Sequence, residues 1–291
     1  MEEKKTSQPI LHKKSFLGSN LVTFVLLGLF LVLEVGLDAL LKPTYSATGL
    51  VAAGIFMAVI PAIIWIVFFY RQDRLEPEPK GMVLQVFLLG GLVAAAVGIP
   101  LVNNVFGVSA WIYKTWWGNL LGAILLVGFT QEFLKYATVR FSVYPTAEFN
   151  ERIDGIIYST AAGVGYATVL SILFVTSSGG VDLGMGAVRV ALTVLAQASF
   201  SGVTGYFLGR EKLEQKPVWW TPLGVCIAAL LNGLFYFFDG ALSAPRLTAT
   251  GSTVNPYFGL ALAAVLAIAV TALLSWLIDR DYRRGLGPQE A

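Results

Sequence analysis

Cysteine and histidine are almost absent from this sequence, and charged residues are scarce. Its 291 residues include one cysteine, Cys226 in an apolar run, and one histidine, His12 in the polar N-terminal stretch. A single cysteine excludes an intramolecular disulfide framework. A metal site within the apolar part of the chain would have no imidazole and at most one thiolate, so it would depend on carboxylates. The few basic residues form no basic domain or stripe, which argues against a nucleic-acid partner.

Long apolar segments make up most of the chain. Hydrophobic residues account for 56% of the sequence and charged residues for 13%, and the mean hydropathy is +0.71. These values are typical of a protein that crosses the membrane several times. We predict an all-α, polytopic integral membrane protein with a tail at 1–19, a membrane domain at 20–279 and a second tail at 280–291. Its eight predicted transmembrane helices lie at about 20–41, 47–70, 82–106, 118–139, 155–177, 186–209, 219–242 and 256–278, and each can cross about 30 Å of hydrocarbon.

The basic residues predict how these helices are oriented. Of the 20 lysines and arginines, 15 fall on the side of the two termini, 4 fall on the other side and Lys135 lies inside a predicted helix. Loops rich in lysine and arginine stay in the cytoplasm. We therefore expect both termini to be cytoplasmic.

The fourth predicted helix carries two charged residues within a hydrophobic stretch. Glu132 and Lys135 are three residues apart, so they lie on one face of a helix, and Gly128 leaves room beside them for another backbone. An ionisable residue at this depth costs several kcal/mol unless it has a partner or water, so it indicates a functional site. The alternative is a neutralised pair that only holds helices together.

Other polar residues are predicted to lie at a similar depth. Counting about 1.5 Å of rise per residue places Gln131, Gln197 and Asn232 where they could share one layer with Glu132. Asp239 also lies within a predicted helix, Asp38 can pair with Lys42 four residues on, and Glu34 has no local partner.

Small residues recur every four positions in the fifth and sixth predicted helices. Such stripes let two helix backbones approach closely in a membrane. We expect the two helices to pack through these residues, which are Gly155, Ser159, Gly163, Ala167 and Ser171 in the fifth, and Gln197, Ser201, Gly205 and Gly209 in the sixth.

Several short motifs resemble those of a known family. They are DRLEPEPK at 73–80, QEFLK at 131–135, DGIIY at 154–158, GVGYA at 163–167 and GYFLG at 205–209. In this order and spacing they resemble the PrsW family of intramembrane metalloproteases, which are related to the CAAX-protease-like membrane proteins. The resemblance covers about residues 60–240. From the residues alone, the Glu-Pro-Glu-Pro of the first motif indicates only an extended, helix-breaking turn.

The resemblance implies metal-dependent cleavage of membrane-anchored regulatory proteins. The motifs that would carry this chemistry are Glu-Glu-x-x-Lys, Phe-x-x-x-Glu and histidines on later helices, and the chain departs from most of them. Glu132 and Lys135 match, but Gln131 replaces the first glutamate and Leu170 replaces the glutamate of the second motif.

Gln197 and Asn232 stand where the resemblance implies histidines. A hydrolytic zinc ion needs three protein ligands and an open position for water, and an amide is a poor ligand. We therefore predict a catalytically inactive PrsW-like protein that serves as a scaffold for, or a subunit of, a membrane assembly. Its expected partners are other integral membrane proteins, single-span clients and lipids, and no cofactor is expected. The predicted binding residues are Glu132, Lys135, Gln197 and Asn232.

Two alternatives stay open. The chain could be an active intramembrane metalloprotease with an atypical site, in which Glu132 works with Glu34, Asp154 or Asp239, and zinc is expected only in that case. A transporter is disfavoured because no matched pair of broken helices is present.

Overall fold

All regular structure in the described part of the chain is helical, as predicted. The computed structural model describes residues 25–34, 36, 46–71, 78–177, 183–241 and 256–285. The α-helices are α1 (Val25–Glu34), α2 (Ala47–Tyr70), α3 (Lys80–Val93), α4 (Val108–Trp111), α5 (Trp116–Gly122), α6 (Phe129–Ser142), α7 (Arg152–Ser177), α8 (Leu183–Glu214), α9 (Trp220–Ala241) and α10 (Pro256–Gly285).

Six helical segments in these ranges are long and apolar enough to cross a membrane. They coincide with the third to eighth predicted helices and span Lys80–Trp111, Trp116–Ser142, Arg152–Ser177, Gly186–Glu214, Trp220–Gly240 and Gly259–Asp281. Two apolar helical segments are shorter, namely α1 (Val25–Glu34) and the part of α2 from Gly54 to Tyr70. Eight transmembrane helices and cytoplasmic termini therefore remain predictions. The predicted tail at 1–19, His12, Asp38 and most of the motif at 73–80 lie outside the described residues.

Two of the membrane-spanning segments contain π-helical turns. Ala94–Gly98 and Leu101–Val105 are π-helical and lie on either side of Pro100, and Ala123–Gly128 is π-helical directly before α6. Proline removes one backbone donor and crowds the preceding turn, which disturbs regular α-helical bonding around it. Because π-turns inside helices often occur at functional sites, these segments direct attention to the region around α6.

Helix α7 lies at the centre of the bundle, and small residues set its contact with α8. Every residue of α7 from Asp154 to Thr168 is buried. A Cβ added at Gly155 would overlap the carbonyl oxygen of Gly205, and one added at Gly209 would overlap the carbonyl oxygen of Arg152. The predicted small-residue stripes therefore face each other and bring the two backbones into contact.

A second close contact joins the segment before α6 to α9. A Cβ at Gly128 would overlap the carbonyl oxygen of Ala229, and a Cβ at Gly233 would overlap the backbone of Ile124. The prediction that Gly128 leaves room for another backbone is confirmed. Because Gly128 lies one helical turn before Glu132, this contact brings α9 close to Glu132.

Ion pairs lie at the two opposite ends of α8. At its C-terminal end Arg210 pairs with Glu214 at 2.9 Å and with Asp281 of α10 at 2.8 Å. Near its N-terminal end Arg189 pairs with Asp239 of α9 at 2.6 Å. Asp239 thus has a structural partner at the end of the bundle.

Candidate active site: a buried carboxylate, an ammonium and three amides

Five polar side chains from three helices meet in the interior of the bundle. All are buried, with Glu132 0% and Lys135 1% exposed, so solvent does not reach the two charges. We call this set the polar core; it comprises Gln131, Glu132 and Lys135 of α6, Gln197 of α8 and Asn232 of α9. The layer predicted from helix positions therefore exists, while the functional roles of its members remain predictions.

The Lys135 ammonium links α6 to α8. Its Nζ lies 2.5 Å from Glu132 Oε1 and 2.6 Å from Gln197 Oε1. Both distances fit charge-assisted hydrogen bonds. The two opposite charges balance each other inside the membrane, which makes burial of both tolerable.

The three amides bond to one another, and one of them also bonds to the carboxylate. Asn232 Nδ2 donates to Glu132 Oε1 at 2.7 Å and to Gln131 Oε1 at 3.1 Å. Gln197 Nε2 donates to Gln131 Oε1 at 3.1 Å and to Asn232 Oδ1 at 3.0 Å. All three amide oxygens thus accept hydrogen bonds within the polar core, and such a network holds its members in fixed orientations.

One strong acceptor in this network lacks a partner. Glu132 Oε2 is buried and accepts no hydrogen bond from any described residue. Buried polar atoms are nearly always satisfied, and one that is not calls for an explanation, such as a bound water or ion or a catalytic role. Glu132 is therefore a fixed carboxylate with one oxygen free to bind a water or a substrate group.

Tyr166 of α7 closes one side of the polar core. It is buried, and its ring centroid lies 5.6 Å from Lys135 Nζ. Its hydroxyl lies against Gly98 in a π-helical segment, where an added Cβ would overlap it. The sequence shows Tyr166 only as part of the GVGYA motif, and nothing in its spacing predicts this contact. Leu170, one turn further along α7, is half-buried and takes no part in the network.

The acidic residues proposed as alternative partners of Glu132 lie elsewhere. Asp154 accepts hydrogen bonds from the backbone N–H groups of Asn150 at 2.7 Å and Glu151 at 2.6 Å, so it caps the start of α7. Asp239 pairs with Arg189, and Glu34 belongs to α1. None of these three carboxylates shares a hydrogen bond with Glu132 within the described ranges.

The Glu-Pro-Glu-Pro motif has a structural role beyond a turn. Glu78 is buried and accepts a hydrogen bond of 2.5 Å from the Tyr158 hydroxyl of α7. The Tyr70 hydroxyl donates to the Glu78 backbone carbonyl at 3.0 Å. Glu78 therefore holds the chain before α3 against α2 and α7, a contact that sequence reasoning missed.

The fold and the polar core together define a helical membrane protein with a fixed carboxylate inside the membrane. A family model described as PrsW family intramembrane metalloprotease matches residues 78–278, and the chain belongs to that family. Two proteins named Protease PrsW, from Halalkalibacterium halodurans and Bacillus subtilis, are each 32% identical to it, over 61% and 67% of this chain and 79% and 84% of their own lengths. A third, from Geobacillus kaustophilus, is 33% identical over 58% of this chain and 69% of its own length. No solved structure matches the chain.

These comparisons correct the prediction of a catalytically inactive scaffold or assembly subunit. The family match and the relatives named as proteases favour an intramembrane protease, which was the alternative. The prediction was wrong because it treated every missing ligand type as a loss of chemistry. A general base needs only a positioned acceptor, so the loss of zinc-ligand residue types does not by itself exclude hydrolysis.

The family description implies a metal, but the polar core does not have the donors that a hydrolytic zinc ion needs. Such an ion takes three protein ligands from histidine, cysteine or carboxylate side chains. No three such residues lie close enough together to hold one ion anywhere in the described part of the chain. The polar core offers one carboxylate, and an ammonium already contacts that carboxylate at 2.5 Å. A second cation at this position would be repelled by Lys135.

Proposed function

We propose that this protein is an intramembrane protease that cleaves membrane-anchored proteins, with Glu132 as the general base. The observation that carries this proposal is the unpartnered Glu132 Oε2 inside the bundle of a chain that belongs to a protease family. Peptide bonds at membrane depth are the substrates that such a buried site can serve, because soluble proteins do not reach it. The expected clients are single-span or otherwise anchored membrane proteins.

The polar core has the parts that base catalysis requires. A general base must be held within hydrogen-bond reach of the water it deprotonates. Lys135 and Asn232 hold Glu132 Oε1 at 2.5 and 2.7 Å, which fixes the carboxylate and leaves Oε2 for a water. The surrounding helices exclude bulk solvent, which strengthens every electrostatic interaction with a bound substrate.

Substrate reaches the polar core only when helices part, because its side chains are buried. We propose that the π-helical segment Ala94–Gly98 forms part of this route, because Gly98 contacts Tyr166, which lies over Lys135. A π-turn is less regular than an α-helical turn, so a local rearrangement there is less costly. We further propose that the protein lies in the bacterial cytoplasmic membrane with both termini inside, in line with the distribution of its basic residues.

The test is cleavage by the purified full-length protein in liposomes that contain a panel of single-span membrane proteins. Cut sites are mapped by mass spectrometry. Glu132→Gln keeps the shape of the side chain but removes the base, so we expect the cleavage rate to fall by about 10²–10⁴-fold.

The matched control is Asp239→Asn, the same carboxylate-to-amide change in the ion pair with Arg189 at the end of the bundle. It is expected to cleave at the wild-type rate. Products that form equally fast with Glu132→Gln would overturn the proposal, as would the absence of any cleavage by the wild-type protein.

A further inference from the structure

The polar core contains a cation of its own, which bonds directly to the carboxylate that a metal ion would need. Lys135 Nζ contacts the only carboxylate of the core at 2.5 Å and the Gln197 amide oxygen at 2.6 Å. An ammonium carries three donors, and these two contacts are the only hydrogen bonds that it makes with described residues. The face of the Tyr166 ring, 5.6 Å away, gives a weaker attraction.

We propose that Lys135 is the resident cation of this site and that the chain binds no catalytic zinc. This inference rests on the proposed protease function for its chemical step. The remaining donor of Lys135 would bind the carbonyl oxygen of a substrate peptide bond. An ammonium in a core shielded from bulk solvent stabilises the negative charge that develops on that oxygen during attack.

The chemical step balances without a metal. Glu132 Oε2 accepts a proton from a water molecule, and the water oxygen forms a bond to the peptide carbonyl carbon. The electron pair of the carbonyl bond moves to oxygen, where the Lys135 ammonium stabilises it. When the carbon–nitrogen bond breaks, Glu132 returns the proton to the leaving nitrogen. The products are a carboxylic acid and an amine, and no oxidant or reductant is needed.

The first experiment measures zinc directly on the full-length protein. The protein is purified in mild detergent, incubated with zinc chloride and freed of unbound metal. Its zinc content per chain is then measured by elemental mass spectrometry. We expect far less than one zinc per chain. About one zinc per chain, lost in Glu132→Gln, overturns the proposal whether or not the protein cleaves anything.

The second experiment applies chelators during cleavage. If Lys135 and not zinc is the cation of the site, the zinc chelator 1,10-phenanthroline leaves the cleavage rate unchanged. Loss of cleavage that returns on adding zinc overturns the proposal and leaves the protease function intact. If the wild-type protein cleaves nothing, the protease function fails, and the zinc measurement still decides which cation the core holds.

A substitution separates the role of the ammonium from a general role in packing. Lys135→Met keeps the length of the side chain and removes its charge, and we expect kcat to fall by about 10²-fold with KM unchanged, since the contact forms in the transition state. Lys135→Arg keeps a cation and should retain part of the activity. A wild-type kcat for Lys135→Met contradicts the assignment, and a single size-exclusion peak confirms that each variant is folded.

Discussion

Removing one charge of the buried pair should destabilise the protein more than removing both. Glu132→Ala leaves the Lys135 ammonium in a position that is 1% exposed, where the Gln197 oxygen at 2.6 Å is its one remaining hydrogen-bond partner among the described residues. The double variant Glu132→Gln/Lys135→Met removes both charges and keeps the approximate volume of each side chain. Its new glutamine can still accept a hydrogen bond from Asn232.

The magnitude follows from the burial of the pair. Breaking a buried ion pair by removing one partner costs about 3–5 kcal/mol, whereas replacing both partners by uncharged groups of similar volume is often close to neutral. We therefore expect Glu132→Ala to be less stable than the double variant by about 3 kcal/mol or more. The larger loss occurs in the variant with fewer substitutions, which simple addition of side-chain contacts does not predict.

Reversible unfolding in mixed micelles with increasing sodium dodecyl sulfate measures the difference, followed by fluorescence of the seven tryptophans. Asp239→Asn breaks a pair whose arginine is 38% exposed, so this control should change stability by less than about 1 kcal/mol. Equal unfolding midpoints for Glu132→Ala and the double variant would refute the reasoning, because a lone buried charge would then cost nothing extra.

Two further predictions concern helix packing and metal binding. Gly205→Ala adds a Cβ that overlaps the Gly155 carbonyl oxygen, so it should destabilise the protein by about 1–3 kcal/mol in the same assay, whereas Gly81→Ala, which meets nothing within 4 Å, should not. Equal stability of the two variants would mean that α7 and α8 are not in backbone contact there. Gln197→His/Asn232→His/Lys135→Met removes the ammonium that bonds to Glu132 and supplies two imidazoles to the polar core, so this triple variant has a two-histidine, one-carboxylate set and should take up about one zinc per chain where the wild type takes up none. A folded triple variant without zinc would show that these side chains do not converge.

Much of the helical architecture follows from the sequence, because the membrane limits the backbone conformations that a chain can adopt. Backbone groups in hydrocarbon must bond internally, so long apolar segments form helices and their positions can be counted. The segments Lys80–Trp111 to Gly259–Asp281 fall where hydropathy places them. The contact of Gly155 with Gly205 follows as well, since a repeat of small residues marks the face on which two helices meet.

The interpretation of the site failed where it depended on residue types alone. Gln131, Leu170, Gln197 and Asn232 each lack the carboxylate or imidazole that the family motifs would supply, and that pattern suggested a loss of activity. The structure shows that three of these residues bond to one another or to the charged pair, while Leu170 does not. Which polar groups have a hydrogen-bond partner depends on how the helices pack, and residue types alone do not reveal it.

Sequence patterns were enough to predict a helical membrane protein, to join α7 to α8 through small residues, and to place one carboxylate and one ammonium on the same face of α6. The packing of the helices was needed to show that Lys135 bonds to Gln197 across helices, that no described residue donates to Glu132 Oε2, and that the ammonium lies over the Tyr166 ring. The physical reason is that spacing along one helix fixes neighbours on that helix. Contacts between helices depend on their rotation and tilt, which are set by packing along their whole lengths.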